Sequence, residues 1–367
     1  MKKSLLAVAV LGAMSGAAFA QVAPNNITLY GIVDAGLQNQ RVTGTSLTSS
    51  SVTGLNSGIQ SGNRWGLRGS EDLGGGLRAN FNLESGFTLD NGTSAQGGRL
   101  FGRASWVGVA GGFGEVRLGR QTIFSSASVV GIADPFGVGF GLAGYQFTFP
   151  NLGPIGTTVN TAAGTTTLGS QSAGTQRNDN TLTYLTPNFS GLQAGLYYSF
   201  GERPSSSTTV AKNNWVGGGV TYTKGPLAVG LSYDSLDSST TGALQDDKWL
   251  NFAASYNFGV ATARFGYYDE EGRTGAIPGG ARNVDRNGWI LGATVPLAGG
   301  NLLASYQKGD IKPTGLAKTK LDKYAFGYTY PLSRRTNVYT SYAQGQLKEP
   351  GLTIKAREFS LGVRHTF

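Results

Sequence analysis

From residue 27 to the end, this chain repeats one pattern: segments of about ten residues in which apolar and polar side chains alternate, separated by glycine-rich breaks. A period of two sends successive side chains to opposite faces, so each segment reads as a β-strand with one face in apolar surroundings. In the last segment Phe359, Leu361, Val363, His365 and Phe367 share one parity, and Ser360, Gly362, Arg364 and Thr366 share the other. The segment 191–200 repeats this, with Leu192, Ala194, Leu196, Tyr198 and Phe200 against Gln193, Gly195, Tyr197 and Ser199. Breaks such as Gly74-Gly75-Gly76 and Lys224-Gly225-Pro226 have the composition of tight turns.

Counting outward from the turns predicts strands near 27–38, 63–72, 76–87, 99–110, 114–121, 177–187, 191–202 and 213–224. The second half adds 226–236, 248–258, 260–271, 286–297, 300–310, 321–332, 335–346 and 356–367. Sixteen is an even number, which suits an all-β, closed antiparallel barrel with both termini at one end. A soluble β-sandwich also alternates, but it breaks its meander at Greek-key crossings. The uniform order here, with Tyr184, Tyr198, Phe200, Tyr256, Phe258, Tyr267 and Tyr330 near strand ends, fits a transmembrane barrel with aromatic girdles. Closure also leaves no unpaired edge to face lipid.

The first twenty residues do not share the pattern. Lys2 and Lys3 precede an apolar run, Leu5 to Met14, and Ala18-Phe19-Ala20 is a small-x-small cleavage site, so residues 1–20 read as a secretory signal peptide cut between Ala20 and Gln21. The run is too short to span a bilayer as a helix, and residues 21–367 form one barrel domain. The exported chain contains no cysteine, which excludes disulfides, thiolate metal sites and thiol redox chemistry. Without Lys2 and Lys3, 28 basic residues stand against 21 acidic ones, a net charge of +7. An exported chain without a nucleic-acid-binding motif has no use for that charge on DNA or RNA.

If the apolar parity faces lipid, the basic residues face inward. Trp65 and Leu67 send Arg64 and Arg68 inward; Leu77, Ala79, Phe81 and Leu83 do the same for Arg78. Leu100, Ala104 and Trp106 send Arg99 and Arg103 inward, although Phe101 and Val107 blur this strand. Val116 and Leu118 place Arg117 inward, and Leu182 with Tyr184 place Arg177 there. Avoidance of lipid explains the facing of these seven arginines but not their gathering in the first third of the chain. A wall of guanidinium groups along a water-filled lumen raises the local anion concentration without a tight binding site.

One connection, Thr122 to Gln176, is far longer than the others. Its stretch GIADPFGVGFGLAGYQF, residues 131–147, is too apolar for a solvated loop and is expected to fold back into the lumen, bringing Asp134, the loop's only acidic residue. Thr157 to Ser172, rich in Thr, Ser and Gly, reads as its exposed part. A barrel hydrolase would need a positioned base, yet the single histidine, His365, lies two residues from the C-terminus on the lipid-facing parity. No acidic cluster has metal-ligand spacing, so neither catalysis, a metal nor a cofactor is expected. An adhesin role in the external loops and a substrate-specific anion channel stay open at this level.

The block ITLYGIVDAGL, the block NRWGLRGSEDLGGGL, the block LFGRASWVGVAGGFGEVRLGRQ and the terminal Phe367 together resemble the general porins of β-proteobacteria and Neisseria over nearly the whole mature chain. The resemblance implies a homotrimer of sixteen-stranded barrels in the Gram-negative outer membrane, surrounded by its lipids and lipopolysaccharide. Each barrel would be narrowed by its third external loop and pass small hydrophilic solutes and inorganic ions by diffusion. It also implies a basic constriction cluster, carried here by Arg64, Arg103 and Arg177, with Arg99, Arg117 and Asp34 as lesser contributors and Asp134 on the loop's acidic side. Phe367 resembles the terminal aromatic by which the barrel assembly machinery recognises such chains.

Overall fold

The computed structural model describes residues 26–45, 47–137, 139–144, 158–161, 164–167, 177–202, 212–240, 243–277 and 280–367. The proposed signal peptide and its cleavage site lie outside them. Sixteen strands close into one antiparallel barrel: Asn26–Gly44, Arg64–Gly74, Leu77–Gly86, Ala104–Gly111, Gly114–Thr122, Arg177–Leu185, Leu192–Ser199 and Lys212–Lys224, followed by Leu227–Thr240, Ala243–Asn257, Thr262–Ile277, Gly280–Leu297, Gly300–Pro313, Thr319–Pro331, Thr336–Glu349 and Leu352–Thr366. Each pairs with the next, and Ile32–Gly44 of the first closes the ring against Ile354–Thr366 of the last. Gly31 and Phe367 complete the seam by exchanging two backbone hydrogen bonds, each 3.1 Å.

The period-two reading holds along the wall. On the last strand Phe359, Leu361 and Val363 are about half exposed, whereas Glu358 and Ser360 are buried. Tyr198, Phe200, Tyr256, Phe258 and Tyr330 are also exposed on the outer face, with the first four packed in pairs at 4.8 and 4.7 Å. An outer face this apolar suits the hydrocarbon of a bilayer.

Three local expectations change. The fourth strand starts at Ala104, not near 99, because Gln96–Gly98 forms a short 3-10 turn and residues 99–103 continue as turn and bend. Val107 and Val109 take its outer face, so Trp106 points inward, against the parity read from the sequence. The first long connection contains a further strand, Leu47–Ser57, that folds back on Ala35–Gly44. Several second-half strands also extend through what the sequence reads as loop, because polar hairpins such as Leu227–Thr240 with Ala243–Asn257 keep their backbone groups paired beyond the apolar belt.

The apolar core lies inside the barrel, not between sheets. The chain from Ile123 to Gly144 runs across the inner wall as a strap and buries Val129, Val130, Ala133, Phe136, Phe140 and Leu142 against it. The wall makes room by using small inward residues: Gly230 lies against Val129 and Ile132, Gly266 against Ala133, Gly292 against Pro135 and Gly327 against Phe136. A Cβ at Gly266 or Gly292 would overlap the strap. Polar wall groups then fix its backbone. Arg264 donates to the Gly131 and Ile132 carbonyls at 3.1 and 2.9 Å, and Glu358 accepts from the Leu142 amide at 3.0 Å.

Candidate functional site

The strap crosses the second-half wall and faces the arginine-rich first third of the barrel across an open cavity of about 1190 Å³. Arg64, Arg103, Arg117, Arg177, Arg264 and Arg364 line it, with residues Asp134 to Gly137 and Gly139 to Gly141 of the strap. Glu84 and Asp134 are the acidic members of the lining among the described residues, so six cations stand over two anions.

Each arginine reaches the cavity by a different local device. Arg64 opens the second barrel strand and donates from Nε to the Gly62 carbonyl at 3.0 Å. Arg103 arrives from the turn before the fourth strand, not by strand parity. Its amide donates to the Glu84 carbonyl at 3.1 Å, and its Nε meets the Glu84 carboxylate at 2.6 Å. Glu84 also accepts from the Tyr30 hydroxyl at 2.8 Å, so the carboxylate is held by two donors. Arg177 begins the sixth strand and lies within electrostatic reach of Arg103, Arg64, Arg120 and Glu84. Arg117 stacks over the inward Trp106 ring at 4.4 Å and pairs with Glu115 at 2.6 Å. Stacking and pairing fix the guanidinium plane while the group stays partly exposed to the cavity.

Arg64, Arg103, Arg177, Arg117 and Asp134 thus come together. Asp134 sits at the turn after the strap's short helix and accepts the Phe136 amide at 2.9 Å, which orients the carboxylate within the strap. Arg99 does not join them: it pairs with Asp179 at 2.8 Å, half exposed and outside the cavity lining. Asp34 is also displaced from the expected role. It is fully buried, accepts the Ser61 amide and the Tyr339 hydroxyl at 2.6 and 2.5 Å, and ties the 57–63 connection to the wall. Arg68 and Arg78 are exposed near the short turns and do not line the cavity, and Arg68 lies over the Tyr30 ring at 5.2 Å.

Two cavity arginines and one rim arginine were not singled out from the sequence. Arg364 shares the inward parity of the last strand and bonds Ser61 Oγ at 2.9 Å, so its pattern was readable. Arg264 enters the site by gripping the strap at the Gly131 and Ile132 carbonyls, a contact that no strand pattern shows. Arg120 pairs with Asp179 at 2.6 Å where the register between the fifth and sixth strands shifts, which period-two counting cannot follow. The inward Tyr197 and Tyr268 are buried beneath the strap and do not line the cavity. His365 accepts or donates at Nδ1 to Thr336 Oγ1, 2.8 Å away, in the barrel wall.

Comparisons with known proteins agree with this geometry. The family described as Gram-negative porin matches residues 7–350. An outer membrane porin protein of Bordetella pertussis is 35% identical over the whole of both chains. Outer membrane porin protein 32 of Delftia acidovorans is 36% identical over 94% of this chain and 89% of its own. The solved structure described as an anion-selective porin from Comamonas acidovorans superposes with a TM-score of 0.75 at 30% identity, covering 94% of this chain and 100% of that one.

Proposed function

Because the chain belongs to the Gram-negative porin family and is an outer-membrane diffusion channel, we propose that it passes small hydrophilic anions in preference to cations. The observation that carries this reading is the imbalance in the cavity: six arginines against Glu84 and Asp134. In a narrow aqueous passage with low-dielectric walls such an excess concentrates anions and repels cations, while weak, multiple sites let the ions leave. The relative from Comamonas acidovorans is described as anion-selective, which supports the same direction.

Arg64, Arg103 and Arg177 form the constriction's basic side in this reading, Arg117 extends it, and Asp134 forms the strap side. Burial of Tyr197 and Tyr268 leaves no row of tyrosines along the passage among the described residues and favours diffusion over guided transfer of a sugar. The assembled form is a homotrimer, Phe367 is the mark read by the assembly machinery, and the mature chain begins at Gln21.

The test is the reversal potential across a planar bilayer in a KCl gradient, for the wild type and for the Arg64→Ala/Arg103→Ala/Arg177→Ala variant. Anion preference should fall in the variant with the channel still open. Unchanged selectivity would remove these three residues from the constriction.

A further inference from the structure

We propose that residues 58–63, between Leu47–Ser57 and the second barrel strand, are a second inner arm of the passage, and that Asn63 is a positioning residue for its anion preference. The arm lines the cavity along its whole length, yet both its ends are locked into the wall. Asn63 is 3% exposed and bonds in three directions. Its Oδ1 accepts the Asp34 amide at 2.5 Å, and its Nδ2 donates to the Asp34 carbonyl at 3.0 Å and to Ser57 Oγ at 2.5 Å. The Gly58 amide donates to the same Asp34 carbonyl at 2.8 Å, so the arm hangs from one residue of the first strand. Asp34 lies where that strand changes partner, from Arg64 opposite Ile32 to Ser57 opposite Ala35. The side-chain amide of Asn63 fills this fork and satisfies backbone groups that the ladder leaves there.

From the fork the arm reaches both the arginines and the strap. The Gly62 carbonyl accepts from Arg64 Nε at 3.0 Å, and Ser61 Oγ accepts from Arg364 Nε at 2.9 Å. Arg64 stands within electrostatic reach of Arg364 and Arg103, and among the described residues neither Arg64 nor Arg364 is ion-paired. Like charges without a carboxylate between them repel and spread apart unless fixed acceptors hold them. On the strap side, the Ile59 carbonyl accepts the Phe140 amide, and Asn337 of the wall clamps Gln60 Oε1 at 2.8 Å. Phe140 has a φ of 61°, a left-handed backbone that a bulky residue rarely adopts, and its ring packs edge-to-face on Tyr339 at 5.3 Å. One short arm therefore fixes two guanidinium groups and the backbone of the strap at once. Asn63 is uncharged, so it acts on ions through Arg64 and Arg364 and not by a field of its own. The inference rests on the anion-preference reading.

The experiment measures the reversal potential of the purified, folded protein in a planar bilayer under a KCl gradient. Asn63→Ala changes no charge, so a fixed field predicts the wild-type chloride-to-potassium permeability ratio. The positioning role predicts a ratio about two-fold lower, because moving one guanidinium from about 4 to about 8 Å from the ion's path halves its attraction. Ser61→Ala releases Arg364 while the backbone bonds of the arm stay in place, and should shift the ratio in the same direction. Ser61→Thr keeps the hydroxyl and should restore it, which gives a second reading should Asn63→Ala fail to fold. In an Arg64→Ala/Arg364→Ala background, Asn63→Ala should lower the ratio no further. Asn39→Ala removes a 2.6 Å bond to Thr53 on the outer face of the same connection and should match the wild type. An equal further fall in the double-arginine background would overturn the proposal. A wild type without anion preference would overturn that preference and this inference together, whereas a preference unchanged in both Asn63→Ala and Ser61→Ala sinks this inference alone.

Discussion

Lys323, buried in the barrel wall, donates from Nζ to the carbonyl of Gly144 at 2.6 Å and so pins the end of the strap that narrows the lumen. The bond joins a charge to a backbone group out of contact with bulk water, where such bonds contribute about 1.5–3 kcal/mol. Lys323→Met keeps the length of the side chain but leaves the carbonyl without this donor. The expected outcome is noisier single-channel current and a lower temperature for conversion of the folded to the unfolded band. Lys323→Arg should behave close to wild type.

Asp134 is the strap's negative charge at the cavity, and Asn in its place can still accept the Phe136 amide. Asp134→Asn therefore isolates the charge from the turn. A unit charge about 8 Å away in water is worth ~0.5 kcal/mol. The chloride-to-potassium permeability ratio should rise about two-fold, read from the reversal potential. A fall in the ratio would show that the carboxylate serves the passage in another way.

Selectivity from a field of arginines depends on screening. Raising KCl from 0.01 to 1 M shortens the Debye length from about 30 Å to about 3 Å, well inside the span of the cavity. The permeability ratio should fall steeply over that range in the wild type and much less in the Arg64→Ala/Arg103→Ala/Arg177→Ala variant. A ratio independent of salt would point to steric selection.

The wall glycines give a packing test. At Gly266 an added side chain meets Ala133 and Ile290, whereas at Gly112 it meets nothing. Gly266→Leu should push the strap toward the arginines, lower single-channel conductance and cost about 1–3 kcal/mol in stability. Gly112→Leu should leave conductance unchanged.

Much of this molecule was legible in its residues because a membrane barrel repeats one rule on every strand. Phe359, Leu361 and Val363 faced outward as counted, and Arg64, Arg117 and Arg177 faced inward. Arg103 reached the lumen for a reason other than the one read, since it enters from a turn and is held there by Glu84. The failures have two causes. Arg99 sits in the irregular stretch before Ala104 and Trp106 follows the parity that the strand takes only from Ala104 on, while Asp34 was drawn out of the site by long-range bonds to Ser61 and Tyr339 that no local pattern encodes. The strap was expected inside the lumen on its apolar character. Its seat was hidden in single glycines spread over four strands, each of which reads alone as an ordinary break.

The seam that ends in the Gly31–Phe367 bonds ties the barrel's completion to the arrival of its last strand. The first strand's partner lies at the other end of the chain, so one of its edges must wait, unpaired or held by another protein, until that strand arrives. Contacts separated by so much chain form slowly, because the closure entropy is paid before the pairing returns it. The pairing of Ile32–Gly44 with Ile354–Thr366 leaves no open edge at the seam to face lipid, which tolerates none. The cylinder's last stitch thus joins the two stretches of wall that lie farthest apart along the chain, and neither is fully paired until both are present.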